Sequence, residues 1–210
     1  MVKWLAVLIG ALLCAVPAYA EPSASGYSGL ILTPTADVIE RGQYAAGAFV
    51  LNQRPGRHTT YLGQFGASRG LEVGMTSIRF RGGDRETVLN AKYQFQRERG
   101  GRAAVACGIY DPTDEVDSTA YFVASKTIRT RGEALRNLRV HVGAGGGLLD
   151  GVFAGVSAEL VRNLTAMIEF DGDRINGGAR LNLGGLNCYA GWIDGLRRAV
   201  FGVAYVSRMR

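Results

Sequence analysis

The sequence predicts an all-β chain: an antiparallel up-and-down β-barrel of about twelve strands that crosses a membrane, preceded by a short helical turn or a plug segment. Three observations predict it. Polar and apolar residues alternate with a period of two in segment after segment, as in Leu89-Asn90-Ala91-Lys92-Tyr93-Gln94-Phe95-Gln96. Short turn signals separate these segments, and an export signal precedes them. A soluble sandwich alternates too, but it buries its apolar face, whereas a membrane barrel turns that face to lipid and its polar face to a lumen.

Taken in order, residues 1–20 read as a secretory signal peptide to be cleaved. Lys3 supplies the positive region, Trp4 to Val16 the apolar run, and Ala18-Tyr19-Ala20 the small-x-small site before Glu21. Pro17 ends an apolar run too short for a retained transmembrane helix. Cys14 follows Leu12 and Leu13, which argues against lipidation, because a lipoprotein site carries a small residue before its cysteine. No later stretch suits a membrane-spanning helix, so insertion would have to be as a barrel.

Residues 21–42 form a leader. Thr33 is a candidate N-cap, Pro34 suits a first helical position and Gly42 suits a stop, which predicts a short helical turn. The Thr33-Pro34-Thr35-Ala36-Asp37 stretch has a polarity that strand alternation does not explain. In a barrel it would plug the lumen, lie at the periplasmic rim, or simply connect under the first strand.

Residues 43–210 form the barrel unit, with strands expected near 43–53, 58–67, 70–81, 86–97, 102–111, 118–129, 137–147, 151–161, 164–171, 174–183, 186–194 and 198–208. Gly82-Gly83, Gly100-Gly101, Asp171-Gly172, Gly184-Gly185 and Asp194-Gly195 are turn formers. The 111–118 connection is longer and acidic, and 130–137 has room for a helical turn. Ile78-Arg79-Phe80 and Phe122 to Lys126 fall off the beat, which predicts bulges or rim positions there. The last strand carries Gly202 and Tyr205, but no aromatic residue closes Val206-Ser207-Arg208-Met209-Arg210, as is usual in outer-membrane barrels.

The period places Lys92, Arg139, His141, Glu159, Glu169, Asp171 and Arg180 on the polar face, as an ion-pairing network in a crowded, non-conducting lumen. His141 lacks the Ser two residues on that outer-membrane phospholipases carry on one strand; position 143 is Gly. Glu169 and Asp171 share a face at a spacing roughly compatible with the about 5–9.5 Å of a glycosidase pair, but Lys92 and Arg180 stand ready as counter-ions. Asp171-Gly172-Asp173-Arg174 lacks the spacing of a calcium loop. Catalytic residues, metal ligands and cofactors are therefore expected to be absent. Cys107 and Cys188 alternate in phase with apolar neighbours and read as small hydrophobes. The net charge of +6 is spread over scattered Arg residues, which gives no nucleic-acid footprint.

Gly29-Leu30-Ile31 followed by Thr33-Pro34-Thr35-Ala36-Asp37-Val38 resembles the N-terminal signature of the YjbH family, outer-membrane proteins associated with exopolysaccharide operons in Gram-negative bacteria. Matches of the same style are Glu72-Val73-Gly74, Asn90 to Tyr93, Gly108 to Asp111, Ala124-Ser125-Lys126, Gly155 to Glu159 and Glu169 to Gly172. Longer members of that family are considerably larger, and this chain resembles one barrel-sized module of them. The resemblance implies a monomeric barrel in the outer membrane, placed there by the barrel-insertion machinery and surrounded by its lipids. It further implies a role with exopolysaccharide, its export proteins or envelope maintenance, and it carries over no catalytic residue. The rival expectation is a soluble periplasmic sandwich or lipocalin-like module for a lipid or glycan, with Tyr93, Phe95, Phe170 and Trp192 in its core.

Overall fold

The computed structural model describes residues 20–53, 56–129 and 136–207. Twelve strands run β1 (Tyr44–Gln53), β2 (Gly56–Ser68), β3 (Leu71–Phe80), β4 (Arg85–Gln96), β5 (Ala104–Tyr110), β6 (Thr119–Thr127), β7 (Arg136–Gly145), β8 (Gly151–Val161), β9 (Leu164–Phe170), β10 (Ile175–Leu183), β11 (Leu186–Ile193) and β12 (Arg198–Val206). Each pairs antiparallel with its neighbours in sequence, and β12 closes onto β1 from Ala45↔Val206 to Leu51↔Val200. The barrel is all-β, up-and-down and closed. One 3-10 turn, Gly147–Leu149, follows β7. The signal-peptide reading falls almost wholly on residues outside the described ones, as does most of the 130–137 connection.

The alternation resolves into two faces of opposite use. Tyr93 is 49% exposed and Trp192 57%, and Phe95, Ile168, Phe170 and Phe201 also lie on the outer wall. Lys92 and Glu169, one residue from such positions, are 1% exposed. A soluble sandwich requires the opposite, so the burial expected of the rival does not hold. Cys107 and Cys188 are free, and both alternate in phase with the outer face. Tight reversals keep the strands in register. Gly184 (φ 69°) and Gly185 (φ 115°) link β10 to β11 in a left-handed conformation that a side chain would strain.

The beat was hidden in β6 for a reason the structure makes plain. Tyr121 and Val123 point inward onto a packed interior, so apolar residues occupy both faces of that strand. No register shift falls within Phe122 to Lys126 or Ile78 to Phe80; the shifts lie at Gly66/Ser68, Gln94/Gln96, Arg136/Arg139 and Glu159/Val161. Arg79 does lie at the rim, next to the end of β3.

The leader fills the lumen. Residues 20–40 are buried or half-buried, and they contain no helix. The expected helical turn at Thr33–Gly42 is therefore corrected. Side chains of the wall take the N–H groups of Thr33, Ala36 and Ile39, and those of Thr35 and Gly42 go to the carbonyls of Ser28 and Gly66. Thr33 hydrogen-bonds a barrel carboxylate and does not cap. Gly42 (φ 78°) instead closes a turn in which Gln43 N–H donates to Glu40 O at 2.9 Å, delivering the chain into β1.

Candidate functional site: a plugged lumen

The plug is a compact double loop whose own backbone bonds include Ala24 N–H to Ile31 O at 2.8 Å and Thr35 N–H to Ser28 O at 3.2 Å. Such a segment cannot satisfy all its backbone groups internally, and an unpaired buried amide is costly. The wall supplies the rest. Glu169 accepts the N–H groups of Ile31 (3.0 Å), Leu32 (2.8 Å) and Thr33 (3.1 Å), and the Thr33 hydroxyl at 2.8 Å. Three successive amides converging on one carboxylate form an anion nest turned inside out, with the anion on the wall and the nest on the plug.

Glu72 does the same across the lumen. It accepts Ser28 N–H (3.0 Å), Ile39 N–H (2.9 Å) and the Ser28 hydroxyl. Lys92 Nζ lies 3.9 Å from Glu72 and donates to the carbonyls of Ser28 (2.7 Å) and Thr35 (3.2 Å). Gln64 and Asn90 both donate to Gly26 O, and Gln94 donates to Ala36 O. Gly26 (φ 98°) is forced by proximity as well as by its dihedral, since a Cβ there would collide with Thr76 Oγ1. Asn187 and Asn182 donate to Glu21. Attachment therefore runs right around the circumference.

Apolar packing completes the seal. Ala24, Leu30 and Ile31 join Phe49, Leu62, Met167, Tyr189 and Val200 in one cluster. Tyr27 meets Tyr110 edge-on, with ring centroids 6.0 Å apart, and Tyr121 at 5.5 Å. At the terminal end Ile39 packs with Ala45 and Val206.

The seven polar-face residues divide into separate contacts. Arg139 makes a bidentate pair with Asp37 of the plug and lies 3.5 Å from Glu98. Arg180 stacks over Tyr189, 5.9 Å from its centroid. Glu159 accepts from Asn137 and from Asn163 N–H at the terminal rim. Asp171 accepts Asp173 N–H, Arg174 N–H and Asn176, in a turn at the opposite rim. Lys92 pairs with Glu72, not with Glu169 or Asp171, and Glu169 is satisfied by amides. Gly29, Thr33, Pro34, Thr35 and Asp37 all lie in the plug, where Gly29 N–H donates to Glu21 O at 2.9 Å and Gly29 bridges Pro34. The wall residues missed in the sequence were Glu72, Gln64 and Asn187, whereas Asn90 shares the polar face with Lys92 as the alternation of that strand predicts. Each is in phase with the inward face of its strand, so the same alternation contained them.

His141 sits between two serines, with Ser125 Oγ 2.8 Å from Nδ1 and Ser157 Oγ 3.3 Å from Nε2. Ser125 Oγ already accepts Ala36 N–H at 2.9 Å. Through Ser125, His141 links the plug to Ser157 of β8.

Among the described residues, open space lies within the lumen and at both of its mouths. A cavity of about 100 Å³ is lined by Asp37, Arg139, His141, Ser157, Glu159 and Arg180. Another, about 280 Å³, opens at the terminal mouth beside Gln43, Gln94, Arg97 and Glu98. The Asp37–Arg139 pair lines both and so stands between them. The opposite mouth, about 600 Å³, is lined by Asn52, Asp150, Asp171, Arg174, Asp194 and Arg198. No cluster of three His, Cys, Asp or Glu side chains suited to a metal occurs among the described residues. Compared with known proteins, the chain matches no family model and no curated protein.

Proposed function

We propose that the chain is a plugged β-barrel of the bacterial outer membrane, a non-catalytic envelope protein of YjbH-like type that serves exopolysaccharide export or envelope maintenance. The observation that carries the reading is the inverted burial: Tyr93, Phe170 and Trp192 are exposed on the wall while Lys92, Glu72 and Glu169 are enclosed. A wall of that polarity is stable against hydrocarbon and would associate in water. In this reading a Sec-type signal delivers the chain, the barrel-insertion machinery places it as a monomer, and both ends of the barrel sequence face the periplasm.

The filled lumen shapes the envelope role. A polymer would have to displace a plug held by Glu72, Lys92, Arg139 and Glu169, so the barrel acts as an anchor or a platform for export proteins, not as the conduit. The test is fractionation of expressing cells, then gel mobility of the membrane fraction with and without boiling. Recovery in the outer membrane with a faster unboiled band is expected. Release with soluble periplasm overturns the reading. Altered surface polysaccharide on deletion of the gene is the expected envelope phenotype.

A further inference from the structure

The outer wall of β2, β3 and β4 carries charge at its rim and apolar side chains farther along the strands. At the rim opposite the terminal end stand Arg57, Arg79, Arg81 and Arg85, all exposed. Arg79 is directly across the ladder from Arg85 on one side and from Thr59 on the other. Like charges facing one another across a sheet repel. Two other arginines of this rim are matched: Arg174 pairs with Asp173 at 2.9 Å, and Arg198 with Asp194 at 2.9 Å. Among the described residues, Arg57, Arg79, Arg81 and Arg85 form no ion pair; the nearest acidic groups in sequence are Asp84, exposed in the same turn, and Glu86, which is in phase with the inward face.

Below the arginines comes a row of hydroxyls. Ser77 pairs with Thr87 and is level with Tyr61 on β2, while Thr59 stands beside Arg79 in the row above. Farther down each strand the wall turns apolar with Tyr61, Met75 and Leu89, then Phe65, Val73 and Tyr93, all exposed. Met75 faces Leu89 and Phe65 faces Val73 across the ladders, while Tyr61 is level with Ser77 and Tyr93 with Leu71. From Arg79 to Met75 the strand advances roughly 13 Å, the scale of a headgroup.

We infer that this patch binds a lipid whose headgroup carries phosphate on a sugar, with phosphate on the arginines, saccharide hydroxyls on Thr59 and Thr87, and acyl chains along Tyr61, Met75 and Leu89. Guanidinium groups match phosphate oxygens in a bidentate fork, and one phosphate relieves the Arg79–Arg85 repulsion that no ion pair among the described residues relieves. The row order fits a headgroup above its own chains and does not fit a free anion, which needs no apolar wall. The inference rests on the outer-membrane reading and adds the lipid class to it.

The test is native mass spectrometry of the full chain in a neutral detergent, titrated with bisphosphorylated lipid A. Wild type is expected to retain the lipid, and R57Q/R79Q/R81Q/R85Q to bind it at least about tenfold more weakly. The milder R79Q/R85Q should lose part of that, while R69Q/R162Q at the terminal rim should match wild type. Equal binding by the quadruple variant, equal binding of dephosphorylated lipid A or of phosphatidylglycerol, or displacement by inorganic phosphate would each overturn the site. The boiled and unboiled mobilities of every variant separate the two readings. A heat-modifiable membrane barrel without lipid preference sinks the site alone, whereas a soluble chain sinks both.

Discussion

Glu169 and Thr33 stand 136 positions apart and share two hydrogen bonds, one to the Thr33 amide at 3.1 Å and one to its hydroxyl at 2.8 Å. Both are buried, so neither partner has water to fall back on. Replacing Glu169 with Gln keeps the shape but turns an NH₂ toward amide donors. The expected loss is about 1.5–3 kcal/mol, read as a lower midpoint for the heat-induced mobility change. Thr33→Val, which removes one bond only, should cost less.

Lys92→Leu removes the cation beside Glu72 and leaves the carbonyls of Ser28 and Thr35 without their donor. Breaking a buried pair costs about 3–5 kcal/mol, more than the pair itself is worth. The double variant Lys92→Leu/Glu72→Gln should regain part of that loss, because the uncompensated charge is gone. Thermal midpoints of the four proteins in one detergent provide the check. An unchanged midpoint for Lys92→Leu would count against the inward facing of that position.

The plug predicts electrical silence. Wild-type protein in a planar bilayer should give no steady steps. Arg139→Ala should also stay silent: it joins the two cavities beside Asp37, but Leu30 and Ile31 still pack against Met167 and Tyr189 beyond them. Reproducible single-channel steps from wild type would refute a static plug.

Acid should loosen the terminal mouth. Burial alone would raise the Glu98 carboxyl above its ordinary 4.5, but the Thr127 N–H and hydroxyl, with the charges of Arg139 and Lys126, outweigh that and hold it lower. A depressed folded-state value means the stabilisation is complete above 4.5 and is lost as pH falls below it through the folded value. Glu98→Gln should be less stable at neutral pH and should show a shallower acid slope, measured as unfolding midpoints from neutral to strongly acidic pH. Asp111, whose burial is outweighed by the amides of Val116 and Asp117 and by the Thr113 hydroxyl, contributes in the same direction at the other end.

Trp192 reports the outer wall directly. It is the only tryptophan after Trp4. In bilayers containing brominated phospholipids its fluorescence should be strongly quenched, and Trp192→Phe should abolish that signal. Emission indifferent to bromination would place it away from lipid.

Much of this was legible because the strand period is local. Lys92 and Glu169 were assigned inward from their immediate neighbours, and the turns at Gly184-Gly185 and Asp194-Gly195 from dipeptides. What joins one segment to another was not. Thr33 looked like a helix cap because its sequence neighbours suit one, while its actual partner comes from β9. Glu72 carried no mark beyond its phase, and its role appears only when Ser28 and Ile39 arrive from a segment with no period. Tyr121 and Val123 misled for the complementary reason: the plug gives the lumen an apolar side that no strand could announce.

The leader precedes the first strand, and the closing pair, Ala45↔Val206, joins the two ends of the barrel sequence. Glu72 and Glu169 take most of their hydrogen bonds from that leader. A sheet closed without it would leave both carboxylates without those donors. The leader is thus the lining of the barrel as much as its stopper: the inner surface of the wall is finished by residues that belong to no strand.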